Sequence, residues 1–203
     1  NPAKLYKLSK FNVIDVGFNA IFLRALKDLL FLLKRYNINT SNLMRYVKKS
    51  ETQIIKLYNS KKNIFYAYDV KNKKKITVPS ITNFFVLYAD INNNLFNKKI
   101  IKSLKSYNKG KKYIFSSIKP EHKSFEEKRY WRGPIWINCN WIVYQGLKNK
   151  DKIFSNFIKE KTIDLLNKKG FHEYYSCKNG NAMGAYNFSW SAALYLDFVL
   201  NKN

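Results

Sequence analysis

Apolar residues return at three- and four-residue intervals through much of the chain, and the intervals predict helices. After Asp15, residues Phe22, Leu26, Leu29, Leu30 and Leu33 line one face of a first helix. Ser41 is positioned to cap a second, with Met44, Val47, Ile54 and Tyr58 on its stripe. Residues 64–68 and 76–78 are short β-like runs flanking the polar Lys71-Asn72-Lys73, which reads as a hairpin. Pro79-Ser80 opens another helix, and Leu95, Ile100, Ile101 and Leu104 mark one more. Residues 107–128 are polar and irregular, the length of a functional loop. Helical spacing returns over 135–147 and 152–166, with Gly170 ending the second, and again over 189–200, where Trp190, Ala193, Leu194 and Phe198 share a face. Six or seven helices with one short β-hairpin make a mainly α chain, and paired helices of similar length suit a toroid of hairpins.

Charge and composition change this picture little. The hydrophobic fraction of 46% with 17% aromatics belongs to a folded protein, and 203 residues suffice for one core. The longest apolar-leaning stretch, 13–33, is broken by Asn19, Arg24, Lys27 and Asp28, so no membrane span is expected. The net charge of +25 comes almost wholly from Lys scattered with Asn and Ile, as an AT-rich genome would impose on solvent-facing positions. Only Arg24, Arg35, Arg45, Arg129 and Arg132 offer bidentate contacts, so nucleic acid is not the expected partner. Cys139 and Cys177 fit neither a disulfide framework nor a zinc spacing and read as idle thiols. With two His there is no metal pair or His-based triad, and no phosphate loop or nucleophile elbow is present. Asn1-Pro2 reads as a cut into a longer protein.

Candidate chemistry gathers in three places. Trp131, Trp136 and Trp141 lie in 129–141, with Trp190 later, and Gly133-Pro134 breaks the backbone just before a helix, with Pro near its first turn. Aromatic rings beside Arg132 suit a sugar, since ring faces stack on C–H surfaces while a guanidinium bonds hydroxyls or a carboxylate. An aromatic core with one snorkelling Arg is the alternative. Second, Glu173 is wedged among Phe171, His172, Tyr174 and Tyr175, where a carboxylate can serve as acid or base, or can simply face water. His172 reads as structural. Third, Asp15 with Asn19 reads best as a helix cap. Asp28, Glu51, Glu160 and Asp164 look like solvated helix faces.

Together these segments resemble the C-terminal half of the family 63 glycoside hydrolases and their mannosylglycerate-hydrolase-like relatives. The resemblance is carried by residues 15–25 (Asp-Val-Gly-Phe-Asn), 130–138 (Tyr-Trp-Arg-Gly-Pro-Ile-Trp-Ile-Asn), 170–175, Gly184 and 188–194. It implies a twelve-helix (α/α)6 barrel, of which 1–203 is the C-terminal portion of a single catalytic domain and the remaining helices precede Asn1. It also implies inversion at an α-glucoside or α-mannoside, glucosyl- or mannosylglycerate among them, by two carboxylates roughly 6.5–9.5 Å apart. Glu173 matches the general base; the acid, an Asp, lies upstream of this chain, which is then inactive alone. By the same resemblance Asn19, Tyr130, Trp131, Arg132, Gly133, Trp136, Asn138, Tyr174, Tyr175 and Trp190 bind the sugar, and a glycerate carboxylate would give Arg132 a partner. No metal or organic cofactor is needed. Where relatives carry an Asp-Pro turn and a Thr-Gly, this chain reads Ser176-Cys177-Lys178-Asn179-Gly180, so a remodelled loop is expected, with Asn179-Gly180 as its turn. Two readings stand beside the enzyme: a barrel that keeps the pocket without catalysis, and a basic helical nucleic-acid binder.

Overall fold

The structure is a computed structural model that describes residues 8–9, 11–91 and 94–200; the Asn1-Pro2 reading lies outside the described residues, as does the Leu95 side chain. Among the described residues there are six α-helices, two 3-10 helices and three small antiparallel sheets.

Helix α1 (Val16–Arg35) starts as expected. The Asp15 carboxylate accepts from Phe18 N at 2.7 Å, and Asn19 Nδ2 donates to the Asp15 carbonyl at 2.7 Å. Its buried face is Val16, Gly17, Ala20 and Leu23, with Leu26 and Leu30 half-buried; Phe22 and Leu29 of the expected stripe face outward with Phe18, Ile21, Phe31 and Leu32. The helix is apolar around most of its girth, so spacing alone did not decide which face packs. Helix α2 (Ser41–Ile55) follows. Thr40, not Ser41, is its N-cap residue, and Asn39 Oδ1 receives Ser41 N instead. Val47 and Ile54 are buried on it, whereas Met44 is exposed. Lys27 and Glu51 tie α1 to α2 through a 2.6 Å ion pair.

The expected hairpin about Lys71-Asn72-Lys73 forms, but its first run is shared between two sheets. The 64–68 run splits at Tyr66: β3 (Ile64–Phe65) pairs with β2 (Tyr58–Asn59), and β4 (Ala67–Asp69) pairs with β5 (Lys74–Ile76) and with β1 (Val13–Ile14). Asp69 closes the β4–β5 turn by accepting from both the backbone and side chain of Asn72. The segment after Pro79 is a 3-10 helix, Ile81–Leu87, capped by Ser80 Oγ, and it forms the centre of the core. Helix α3 (Asn94–Tyr107) follows.

The loop expected over 107–128 is half core. Ile114, Phe115, Ser116, Ser117 and Ile118 are buried, and Ser116 bridges to Ile135, which in turn bridges to Tyr175. Their apolar side chains sit in a stretch too short and too Lys-flanked for periodicity to reveal. Helix α4 (Ile137–Leu147) starts later than the spacing suggested, because Ile135 serves that bridge and Trp136 is the N-cap residue; Pro134 therefore lies outside the first turn. Helix α5 (Lys152–Lys169) is capped by Asp151 and stopped by Gly170 at φ 75°, as expected. β6 (His172–Tyr175) and β7 (Ala182–Tyr186) make a third, unforeseen hairpin before α6 (Ser189–Leu200). On α6, Ser191 and Phe198 are buried and Leu194 half-buried, while Trp190 and Ala193 face outward.

Asp28 and Asp164 form surface i,i+4 ion pairs with Arg24 and Lys168. Among the described residues no helix is long and apolar enough to cross a membrane, and no three His, Cys, Asp or Glu gather as metal ligands. Both cysteines are free and buried, and burial pushes the Cys139 thiol up to about 12. At pH 8 about one Cys139 in ten thousand is then thiolate. Neither thiol should react with Ellman's reagent in the native protein within minutes, and both should react at once in guanidinium. Rapid native labelling of Cys139 would contradict this packing.

Candidate functional site

The third hairpin carries the most developed cluster. Its register shifts between His172 and Tyr174: His172 faces Tyr186, yet Tyr174 faces Met183. Gly184 and Ala185 therefore oppose the single residue Glu173, a β-bulge. Gly184 adopts φ 74°, and a Cβ there would stand 2.6 Å from Glu173 Oε2. Glycine is what this left-handed position and this contact both require. The bulge releases the Ala185 N–H from the ladder, and it donates to Glu173 Oε2 at 3.2 Å.

The other Glu173 oxygen is met from the 3-10 turn Tyr130–Arg132, where the Tyr130 hydroxyl donates to Oε1 at 3.0 Å. That hydrogen bond to a carboxylate raises the Tyr130 pKa above the ordinary phenol value. The aromatic residues of this turn and of β6 form one stack. Trp131 lies flat on Trp136 with centroids 3.9 Å apart, and Tyr174 leans on Trp136 at 5.0 Å. Tyr130 stands edge-on to Trp131, Trp136 and Tyr174. Trp136 is buried and gives Nε1–H to the Tyr130 carbonyl, whereas Trp131 is 42% exposed. The structure thus has both a core ring and an open ring where the sequence left the two readings as alternatives.

Arg132 is already engaged: its guanidinium pairs with Glu126 at 2.6 Å and donates to the Ser124 carbonyl at 3.2 Å. Glu126 N in turn donates to Arg132 O at 2.8 Å, closing the loop over Gly133, whose backbone runs against that of Glu126 and Glu127. Tyr175 makes its hydrogen bonds away from the Glu173 cluster. It is fully buried, and its hydroxyl donates to Gly170 O and accepts from His172 N, so it braces the start of β6. Asn138, in the first turn of α4, has its Oδ1 buried without a hydrogen-bond partner among the described residues. Trp190 is exposed and touches Phe188. Asn19 lines a groove of about 520 Å³ with Phe22, Tyr46, Gln53, Leu57 and Tyr68, and Glu173 is not among its lining residues. The site thus gathers Glu173, Tyr130, Trp131, Trp136 and Tyr174, supported by Arg132 and Gly133, without Asn19 or Tyr175.

Sequence reasoning named Gly184 only as part of the resemblance and missed that it and the Ala185 N–H hold Glu173; a lone Gly within the short run 182–186 was the available signal for a bulge. Glu127 was not singled out either. It accepts from Ser176 Oγ at 2.6 Å and pairs with Lys178 at 3.0 Å, and these two contacts lower its pKa. This brace fixes the β6–β7 loop to the segment before Tyr130. The loop turns at Asn179-Gly180 as expected, with Gly180 at φ 71° against the Tyr113 ring. A carboxylate gripped at both oxygens, beside a half-open indole, can take a proton from a water placed next to a sugar ring.

The mannosylglycerate hydrolase MGH1-like glycoside hydrolase domain matches residues 1–191. A mannosylglycerate hydrolase of Thermus thermophilus is 30% identical over 197 residues, covering 97% of this chain and 48% of that protein. One from Rubrobacter radiotolerans is 29% identical, covering 98% and 47%. The crystal structure of a GH63 mannosylglycerate hydrolase from Thermus thermophilus, in complex with Tris and D-glycerate, superposes with a TM-score of 0.93 at 30% identity, covering 98% of this chain and 48% of that one. The chain spans about half the length of the curated relatives it matches.

Proposed function

The chain belongs to the mannosylglycerate hydrolase MGH1-like glycoside hydrolase family, as part of an (α/α)6 barrel, and from that membership we propose that it carries the general base of an inverting α-glycosidase acting on a glycosylglycerate. Glu173 is that base. The observation that supports it is the two-sided grip on its carboxylate by Tyr130 and the Ala185 N–H, next to the Trp131–Trp136 stack. Trp131, covered on one side by Trp136, offers its outward side to the C–H face of the sugar. Glu173 withdraws a proton from water as that water attacks the anomeric carbon, while a carboxylic acid on the opposite face protonates the leaving oxygen. That acid belongs to the remainder of the barrel. The outward apolar row of Phe18, Phe22, Leu29 and Leu32 on α1 supports the need for that remainder, because such a row is unusual on a finished surface. The substrate is mannosyl- or glucosylglycerate, the compounds after which the relatives are named.

The test is hydrolysis of α-mannosyl- and α-glucosylglycerate by the full-length protein, followed by proton NMR in the first minutes. The β-anomer of the free sugar should appear first and mutarotate afterwards. An α-anomer appearing first would refute inversion. Binding of either compound without turnover would refute the enzyme and leave a carbohydrate-binding barrel.

A further inference from the structure

The grip on Glu173 is built with more care than a surface carboxylate needs. Tyr130 sits at φ 32°, a backbone state that bulky residues seldom adopt and that persists only where surroundings enforce it. The surroundings here are specific. Arg132 N donates to Arg129 O at 2.6 Å, Glu126 N to Arg132 O at 2.8 Å, and Trp136 Nε1 to the Tyr130 carbonyl at 3.2 Å. Three aromatic neighbours, Trp131, Trp136 and Tyr174, hold the Tyr130 ring at 5.8, 4.8 and 5.6 Å. The residue is 47% exposed, so these contacts orient the ring from its inner side and with it the hydroxyl. On the far side, the bulge at Gly184 fixes the Ala185 N–H in the same way. Glu173 sits on a two-stranded hairpin, and both of its oxygens accept hydrogen bonds.

We infer that Tyr130 is a positioning residue for Glu173, its strained turn serving to aim the carboxylate, rather than a sugar contact. The inference rests on Glu173 being the base. The Tyr130 hydroxyl stays protonated through the working range, since the carboxylate raises its pKa above the ordinary phenol value, so the grip is not lost near neutrality. A misaimed base slows proton transfer without loosening substrate, which separates this role from binding.

The test uses the full-length protein and Tyr130→Phe, which keeps the ring contacts and removes only the hydroxyl. We expect kcat to fall about 10- to 100-fold, with KM changed by less than about 3-fold. In a Glu173→Gln background the same substitution should cost nothing further, because its effect runs through the lost carboxylate. Gly184→Ala, which presses on the other oxygen, should give the same pattern. A raised KM at unchanged kcat would make Tyr130 a sugar contact and overturn the inference. So would an equal loss in both backgrounds. Should Glu173→Gln itself keep the wild-type kcat, the base assignment fails; should Glu173→Gln be dead while Tyr130→Phe is normal, only the positioning role fails.

Discussion

In the full-length protein, Glu173→Gln should lower kcat about 10²- to 10⁴-fold while binding of the sugar and glycerate products should be retained. Gln keeps the shape of Glu but has no site for the proton that water must give up. The local geometry should survive the exchange. The Gln carbonyl can accept from Ala185 N where Oε2 does now, and its amide can donate to the Tyr130 hydroxyl, which is able to accept as well as donate. Loss of activity would then be a chemical effect and not a collapse of the hairpin. The discriminating pair of measurements is turnover and calorimetric product binding on the same preparation. A kcat within tenfold of wild type removes Glu173 from the base role. Loss of both turnover and binding would place it among the sugar contacts instead.

The parts of the fold that announced themselves were those with a local physical cause. Asp15 and Gly170 mark helix ends because a capping carboxylate and a left-handed residue are chemical requirements of those ends. The faces of α1 and α6 were not legible: when Phe18, Phe22, Leu29 and Phe31 are apolar along with Ala20 and Leu23, only the packing partner decides which set is buried. The small sheets were hidden for a different reason. Strands of two or three residues such as β2 and β3 are too short for alternation to show, and their pairing is settled by tertiary contact. At the site, Glu173 and the Trp-rich turn were visible as residue types, but the bonds that hold Glu173 come from a backbone N–H at Ala185 and a strained Tyr130, neither of which has a residue signature. Arg132 shows the converse case. Its side chain suited an external carboxylate, and the structure gives it an internal one, Glu126, six positions earlier.

Gly133→Ala should be the most damaging single-methyl change in the molecule. The Gly133 φ of −166° is not left-handed, and the main cost is one of space. A Cβ there would lie 2.1 Å from the Glu126 carbonyl oxygen, 2.7 Å from its carbon and 2.8 Å from Glu127 Cα. All three are backbone atoms, so no side chain can rotate away. The two strands of chain are held together by Glu126 N to Arg132 O at 2.8 Å, and Ser117 N to Pro134 O at 2.9 Å ties the chain after Gly133 to a third segment. Relief requires breaking at least one of these bonds, and overpacking of this kind costs about 1–3 kcal/mol. For a domain of this size or larger, that lowers Tm by roughly 2–12 °C. Gly170→Ala is the natural control: nothing lies within 4 Å of its added Cβ, and its φ of 75° makes the cost conformational, about 1–2 kcal/mol. The two variants can match in Tm and still differ at the site. Gly133→Ala pushes on the turn that carries Tyr130 and Trp131, so it should also weaken the near-ultraviolet circular dichroism of the stacked Trp131–Trp136 pair and reduce turnover. Gly170→Ala should leave the spectrum unchanged. A Gly133→Ala protein with wild-type Tm and spectrum would mean that the loop over Gly133 is not packed as closely as the 2.1 Å contact requires.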